Sequence, residues 1–285
     1  MSDVTYPSTP PGWTPLGTQS IGPFTTHVTF RQADGTTVTW SSRSHRKHAS
    51  LLSRVRRRRA HVHEAAQHAS WWIGILFAVG SLCFLLAPMP WFFDLAGATI
   101  DAVVFFVGSL FFTSAAVLQW LETINSDPGP GERAGRFKVV TFEPGRIDWW
   151  SSGVQLVGTV FFNFTTLRAL QTSVESSSYD QLVWRPDALG SICFLVSGYL
   201  AYLEVSGRLW SWPKRTLESR IVTVNLLGCV AFGIAAVASY VVPSTDTMVS
   251  TTVTNLFTSL GALGFLIGAL LLLPEGHREP VVVVN

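Results

Sequence analysis

The chain contains little charge, little cysteine and no recognisable cleavable targeting segment. Asp, Glu, Lys and Arg make up only 13% of its 285 residues, whereas about 25% is usual for a soluble domain. Its three cysteines, Cys83, Cys193 and Cys229, have no Cys-x-x-Cys spacing, so neither a disulfide framework nor a zinc site is predicted. The stretch MSDVTYPSTPPGW lacks both the basic start and the apolar core of a signal peptide. These absences argue against a soluble enzyme and against a secreted, disulfide-bonded domain.

The motifs of common catalytic sites are also missing. The sequence has no Gly-x-Ser-x-Gly, no P-loop, no His-Glu-x-x-His and no Gly-x-Gly-x-x-Gly placed between a strand and a helix. We therefore predict no catalytic residue, no cofactor-binding residue and no metal ligand. The chain is interpreted as a protein that is not an enzyme and that needs no cofactor.

Long apolar segments are what the sequence does contain. Hydrophobic residues make up 48% of the chain, and a helix that crosses a bilayer needs about 20 mostly apolar residues. Six segments meet this requirement, at residues 70–88, 101–121, 150–170, 188–205, 221–242 and 253–273. The sequence thus predicts an all-α polytopic membrane protein with six transmembrane helices.

The basic residues predict the orientation of these helices, because Lys and Arg are retained on the cytoplasmic side of a membrane. Eighteen of the twenty precede the first helix, lie between helices two and three or between helices four and five, or follow the sixth. Only Arg168 and Arg185 fall on the other side. We predict that both termini are cytoplasmic and that the protein lies in a bacterial plasma membrane.

A glycine followed four residues later by a phenylalanine recurs in every predicted helix. Lipid gives helices no hydrophobic reason to associate, so close approach at small residues must hold them together. The even-numbered helices also share a carboxylate fourteen residues beyond the glycine. We predict that a two-helix hairpin is present three times, as parallel repeats around a pseudo-threefold axis. The predicted helix-packing residues are Gly80, Gly108, Gly158, Gly190, Gly228 and Gly261, with Phe84, Phe112, Phe162, Phe194, Phe232 and Phe265.

These segments carry a family resemblance. LFAVGSLCF followed by VVFFVGSLFF resembles the YrhK-like two-helix membrane domain, a family of unknown function. The longer strings GRIDWWSSGVQLVGTVFFN, LVWRPDALGSICFLVSGYLAYLEV and NLLGCVAFGIAAVASYVVP are similar to uncharacterised integral membrane proteins of actinobacteria. The resemblance covers residues 70–275. It implies a fold embedded in the membrane and implies no particular activity.

Segments outside the helices complete the predicted organisation. THVTFRQADGTTVTW alternates around an Asp-Gly turn, as a β-hairpin does. A lone hairpin is marginally stable in water, so we expect a small cytoplasmic sheet shared with a strand in the loop after helix two. The predicted units are a disordered N-terminus (1–24), the β-hairpin with a basic juxtamembrane helix (25–69), repeat 1 (70–122), a cytoplasmic loop with a short strand (123–148), repeat 2 (149–205), a cytoplasmic loop (206–220), repeat 3 (221–275) and a C-terminal tail (276–285).

Polar residues of the helices form a candidate pore or polar network. Amides within the spans could line a path, and carboxylates at the cytoplasmic helix ends could form a ring of the kind that selects cations. The alternative is that the amides bond between helices and that the carboxylates stay in water at the membrane surface. The residues concerned are Gln155, Asn163, Asn225, Glu122, Glu204 and Glu275.

The segment from residue 43 to residue 68 is strongly basic and precedes the first helix. Basic side chains beside a membrane are drawn to anionic headgroups, and those predicted to do so are Arg54, Arg56, Arg57, Arg58 and Arg59. No aromatic residues interleave these arginines, so nucleic acid is not a predicted partner. Metal binding or a pH response by His61, Glu64 and His68, which share one helical face, is an alternative hypothesis.

Two functions remain open. The first is a non-enzymatic scaffold or sensor at the plasma membrane, whose predicted partner is the lipid bilayer. The second is a small-solute or ion transporter or channel with a path along the pseudo-threefold axis. A close-packed centre with the glycines in contact would favour the scaffold, and a water-filled cavity reached by the interior amides would favour transport.

Overall fold

The structure, a computed structural model, describes residue 9, residues 11–43, residue 46 and residues 62–126, 137–171 and 176–275. Within the helices, the side chains of residues 62–68, 176–177 and 275 lie outside this description. Most of the chain is helical, and a small antiparallel sheet precedes the helices, as predicted.

The apolar segments form long helices, and a π-helical turn at Asp180–Trp184 runs directly into one of them. The helices are α1 (Val62–Leu86), α2 (Pro90–Asn125), α3 (Ile147–Ala169), α4 (Ser176–Tyr179), α5 (Arg185–Ser206), α6 (Leu217–Ala238) and α7 (Thr251–Glu275). Within the described part of the chain, five helices are long and apolar enough to cross a membrane: α1, α2, α5 with its π-helical turn, α6 and α7. Since α3 is more polar, five candidate spans stand against the six that the sequence predicted.

Helix α2 begins earlier than the sequence predicted. Its 36 residues start at Pro90 rather than near residue 101, and they are divided by Gly97, whose φ of 78° is not helical. The residues before this kink expose apolar side chains, among them Leu95, which is 80% exposed. The kink therefore separates a short apolar turn from the long helix that follows it.

The long helices form a closed ring in chain order. Each of α1, α2, α3, α5 and α6 packs on the next long helix, and α7 packs back on α1. The end of the ring where α2 and α5 end and α3 and α6 begin is called the sheet end, because the β-sheet docks there.

The glycines of the repeated motif lie where paired helices touch. A methyl group added to any of the six would lie between 2.6 and 3.1 Å from an atom of the neighbouring helix. Such distances require contact between backbones or between a backbone and a ring, which only glycine permits without displacement. The contacting pairs are Gly80 with Gly108, Gly158 with Gly190, and Gly228 with Gly261.

The phenylalanines of the motif meet at the centre of the ring in two triangles. Phe84, Phe162 and Phe232 have ring centroids 6.0 to 6.5 Å apart. The second triangle joins Phe112, Phe194 and Phe265, whose centroids are 5.6 to 6.4 Å apart. A void of only about 10 Å³ remains among these rings, which is barely room for one water molecule. The centre of the bundle is therefore closed by aromatic packing.

Three antiparallel strands, in the order β1 (Thr14–Ile21), β2 (Phe24–Arg31) and β3 (Thr37–Ser41), form the sheet. The predicted hairpin is β2 with β3, and Val28 pairs with Trp40 while Phe30 pairs with Val38. Val28 and Phe30 are fully buried. The sheet docks through Ile21 and neighbouring apolar residues on the ends of α3, α5 and α6.

Two predictions about the sheet were wrong. Part of the N-terminus predicted to be disordered, residues 1–24, forms β1, because the exposed edge of β2 gives it a ladder of backbone hydrogen bonds. The loop predicted to supply a strand forms none between residues 137 and 146. There the Trp120 and Trp149 indoles bond the backbone carbonyls of Val139 and Thr141 instead. The third strand therefore comes from before the hairpin.

Candidate functional site

A buried arginine joins the N-terminal segment to two helices at the sheet end. The Arg46 guanidinium donates to both carboxylate oxygens of Glu204, at 3.0 and 3.2 Å, and lies 2.9 Å from the Asp148 carboxylate. The three side chains are 7%, 1% and 3% exposed. The Ser42 hydroxyl adds a 2.6 Å hydrogen bond to Glu204. We call Arg46, Asp148 and Glu204 the arginine latch.

The positions of the two carboxylates explain why an arginine is needed there. Asp148 lies in the first turn of α3, where the helix dipole favours a negative charge. Glu204 lies in the last turn of α5, where the dipole opposes one. A bidentate guanidinium supplies the charge and the donors that a buried Glu204 requires.

Arg146 extends this network to the end of α2. It donates to Asp148 and to Glu143 at 2.7 Å each, and to the backbone carbonyl of Thr123 at 3.0 Å. A cation at the last carbonyls of a helix is favourable for the helix dipole. Asp148 is thus shared between Arg146, two residues before it in the chain, and the distant Arg46.

Charge pairing outweighs burial in setting the protonation of the arginines. Burial acts to lower the pKa of Arg46, but the carboxylates of Glu204 and Asp148 raise that pKa above its ordinary value. The pKa of Arg146 is raised in the same way, chiefly by Asp148. For Glu143, partial burial favours the neutral acid, yet its hydrogen bonds and charge pairing with Arg146 and Lys138 hold the pKa below its usual range. Both arginines therefore remain charged at any physiological pH.

A polar cavity of about 70 Å³ lies between the arginine latch and the phenylalanine triangles. It has room for several water molecules. The polar side chains that line it are Arg43, Arg46, Gln119, Gln155, Ser197 and Asn225. Gln119 donates to Gln155 at 3.2 Å, whereas Asn225 Oδ1 is buried without a hydrogen-bond partner among the described residues.

The predicted polar network is only partly assembled. Gln155 and Asn225 line the cavity, but Asn163 lies away from it and donates to Thr113 at 2.8 Å. Glu204 belongs to the arginine latch, and Glu122 accepts a 3.0 Å hydrogen bond from Ser70.

The interpretation that the carboxylates stay in water is wrong for Glu122 and Glu204, both of which are buried. Serine and arginine side chains replace the water that carboxylates at a membrane surface would otherwise bind. The side chain of Glu275 is outside the described residues, as are Arg54 and Arg56 to Arg59 and the side chains of His61, Glu64 and His68.

Sequence reasoning missed two of the three residues of the arginine latch, and it named only Glu204. Arg46 was counted with the basic segment, and Asp148 was placed in a loop. The available signal was Asp148 itself, an acid directly before the Trp149-Trp150 pair at the start of an apolar segment. No group of three or more possible metal ligands occurs among the residues described by the structure.

Comparison with known proteins gave no match to any family model, to any curated protein or to any solved structure. The resemblance to the YrhK-like domain therefore stays a prediction.

Proposed function

We propose that the chain is a non-enzymatic plasma-membrane scaffold or sensor in which the arginine latch couples the N-terminal sheet to the helical ring. One observation carries this proposal. Arg46 is buried between carboxylates from two different helices, so the N-terminal segment cannot leave the ring without taking the guanidinium away from Glu204 and leaving Asp148 to Arg146.

The energetics of buried ion pairs suit a switch. An intact buried pair adds little net stability, because desolvation cancels most of the attraction, but removal of one partner costs about 3–5 kcal/mol. The docked state of the sheet, with the latch intact, and the released state, with the latch broken, would therefore differ sharply in free energy. Any input that weakens the latch, such as a competing ligand or partner, would favour release.

The polarity of α3 is compatible with a sixth membrane span. Its small polar residues face inward, and Ser152 and Thr159 are 2% and 0% exposed. Its outward residues are apolar, and Val157 and Val160 are 51% and 54% exposed. A helix of 23 residues is about 35 Å long, enough to cross a hydrocarbon core of about 30 Å. The polar residues lower the mean hydropathy of α3, but those that lower it include side chains buried in protein.

Central packing supports an origin from three similar hairpins. Each hairpin contributes one phenylalanine to each triangle at the centre of the ring. The residue after each motif glycine is small and at most 2% exposed; these residues are Ser81, Ser109, Thr159, Ser191, Cys229 and Ala262. Equivalent positions in all three hairpins thus have equivalent environments, which is what parallel repeats around a threefold axis require. We place the sheet end in the cytoplasm, because nearly all basic residues lie on that side of the predicted spans.

The test is hydrogen exchange of the sheet in protein reconstituted into nanodiscs. Glu204→Gln leaves Asp148 as the carboxylate paired with Arg46 among the described residues, and we expect the β2 and β3 amides to exchange at least about tenfold faster, equal to roughly 1.4 kcal/mol. Asp180→Asn is the matched control, because Asp180 also pairs with an arginine, at 3.0 Å, but in an exposed contact. Unchanged exchange at Val28 and Phe30 in Glu204→Gln would refute the coupling.

The polar cavity favours a second candidate function, a transporter or channel along the ring axis. In the closed state the phenylalanine triangles would be the barrier. Flux of ions and small solutes is measured in proteoliposomes, with Glu122, Glu204 and Glu275 changed together to Gln. Flux that is present in the parent and lost in the triple variant would replace the scaffold as the preferred function.

A further inference from the structure

A large apolar groove lies on the outside of the ring near the sheet end. Its volume is about 460 Å³, within the range of about 300–1,000 Å³ that is usual for small-molecule sites. We call it the tryptophan groove and define it by Trp120, Trp149, Trp150, Gly153, Val157 and Cys193.

The indole nitrogens of the groove are all engaged with one segment of the chain. Trp120, Trp149 and Trp150 donate to backbone carbonyls of residues 139, 141 and 144 at 3.3, 3.0 and 3.0 Å. These bonds fix the rings, and they leave no N–H group for an occupant. The groove therefore offers rigid, apolar aromatic walls, which bind a hydrocarbon at little entropic cost.

A glycine makes room for the groove. At Gly153 an added methyl group would lie 3.1 Å from the Trp120 ring, so any side chain there would fill the space in front of it. Helix α1 provides the comparison, because it has the same tryptophan pair, Trp71-Trp72, at the same distance before its motif glycine. The residue of α1 that corresponds to Gly153 is Ile75.

We propose that the tryptophan groove is a binding site for one hydrocarbon chain of a membrane lipid. The proposal rests on the proposed function in one respect, namely that α3 spans the bilayer. The groove then opens directly to acyl chains, and its lining recognises the chain and not the headgroup. The segment that bonds the indoles also exposes Val140 and Phe142, at 80% and 78%. These side chains continue the apolar surface toward the membrane interface.

A phospholipid with a diazirine on one acyl chain tests the site in nanodiscs that contain the full chain. We expect adducts on residues 149–157 and on Cys193 to exceed those on residues 71–79 and on Cys83 by about fivefold. Unlabelled lipid should compete with the groove adducts. Cys83 is a matched position, because it occupies the same place in Gly-Ser-x-Cys-Phe as Cys193. Equal and non-saturable labelling of the two faces would overturn the proposal.

Two variants distinguish labelling in the tryptophan groove from nonspecific labelling by bulk lipid. Gly153→Ile installs the α1 residue and should reduce the groove adducts about fivefold while the α1 adducts stay constant. Trp150→Ala removes one wall without adding volume and should also reduce them, which covers the case in which Gly153→Ile does not fold. Val160→Leu, on the outer face of α3 beyond the groove, should have no effect.

The outcomes also distinguish this proposal from the proposed span. If Val160 is labelled as strongly as other lipid-facing residues and the groove residues are labelled no more than Val160, the binding site is rejected but α3 remains a membrane span. An absence of adducts from Val160 as well as from the groove would reject α3 as a membrane helix and, with it, the site.

Discussion

The contact between Gly80 and α2 gives the sharpest stability prediction. A methyl group at position 80 would lie 2.6 Å from the Phe112 ring and 2.9 Å from the carbonyl oxygen of Gly108. The ring can turn away, but the carbonyl belongs to the backbone of α2. Ordinary contact begins near 3.4 Å, so Gly80→Ala requires the two helices to separate by about 0.5 Å at this point.

Two opposing effects determine how much Gly80→Ala changes the free energy of unfolding. Overpacking of a close contact costs about 1–3 kcal/mol, and the higher helix propensity of alanine returns up to about 1 kcal/mol. We expect Gly80→Ala to destabilise the protein by about 1–2 kcal/mol. Gly190→Ala should cost less, because its methyl group would lie no closer than 3.1 Å to the partner helix.

Reversible unfolding in mixed micelles, followed by the fluorescence of the eleven tryptophans, measures these differences. Gly145→Ala is the control, since a methyl group there would meet no atom within 4 Å. It should change the free energy of unfolding by less than about 0.5 kcal/mol. If Gly80→Ala were as stable as this control, the close approach of the helices at their glycines would not be what stabilises the ring.

Three further predictions concern the latch, the sheet and the interior of the ring. Arg46→Ala removes the guanidinium that bonds the buried Glu204 and leaves Asp148 to Arg146. It should lower the free energy of unfolding by about 3–5 kcal/mol in the same micelle assay, whereas a loss below about 1 kcal/mol would indicate that the Arg46 side chain is in water. The pKa of His27 is lowered by burial and by Lys214, against a weaker opposite effect of two glutamates. Docking of the sheet should therefore be at full strength above about pH 6.5 and should weaken as the pH falls toward the lowered pKa of His27, because the unfolded state binds more protons. Hydrogen exchange of the sheet between pH 7.5 and 5 should show this weakening. The variant His27→Gln should abolish the pH dependence. Asn163→Leu breaks the hydrogen bond to Thr113 and should cost about 0.6–2 kcal/mol in unfolding without altering solute flux, whereas altered flux would return Asn163 to the transport path.

The sequence predicted the local features well. The β2–β3 hairpin followed from alternation around an Asp-Gly turn, and α3, α5, α6 and α7 begin and end within four residues of the predicted bounds, whereas α1 and α2 begin eight and eleven residues earlier than predicted. The early start of α2 was missed because Gly97 lies within an apolar stretch, where composition gives no sign of a kink. The strand β1 was missed because its residues are exposed and carry no alternation of their own.

The candidate site was harder to predict, because it depends on residues far apart in the chain. Arg46 and Glu204 are separated by 158 positions, and their pairing depends on where the sheet docks. Glu204 was noticed only as the end of a helix, where carboxylates usually meet water. Its burial under Arg46 required knowledge of what covers the ring, which no local pattern contains.

By itself, the amino-acid sequence determined the hydrophobic helices and the spacing of glycine and phenylalanine along them, since both follow from side-chain chemistry and a period of 3.6 residues. Only the tertiary structure decided that the phenylalanines close the centre of the ring and that a distant arginine pairs with Glu204 and, together with Arg146, with Asp148. The reason is physical: burial and charge pairing are properties of the space between elements, and that space exists only once the helices and the sheet have packed.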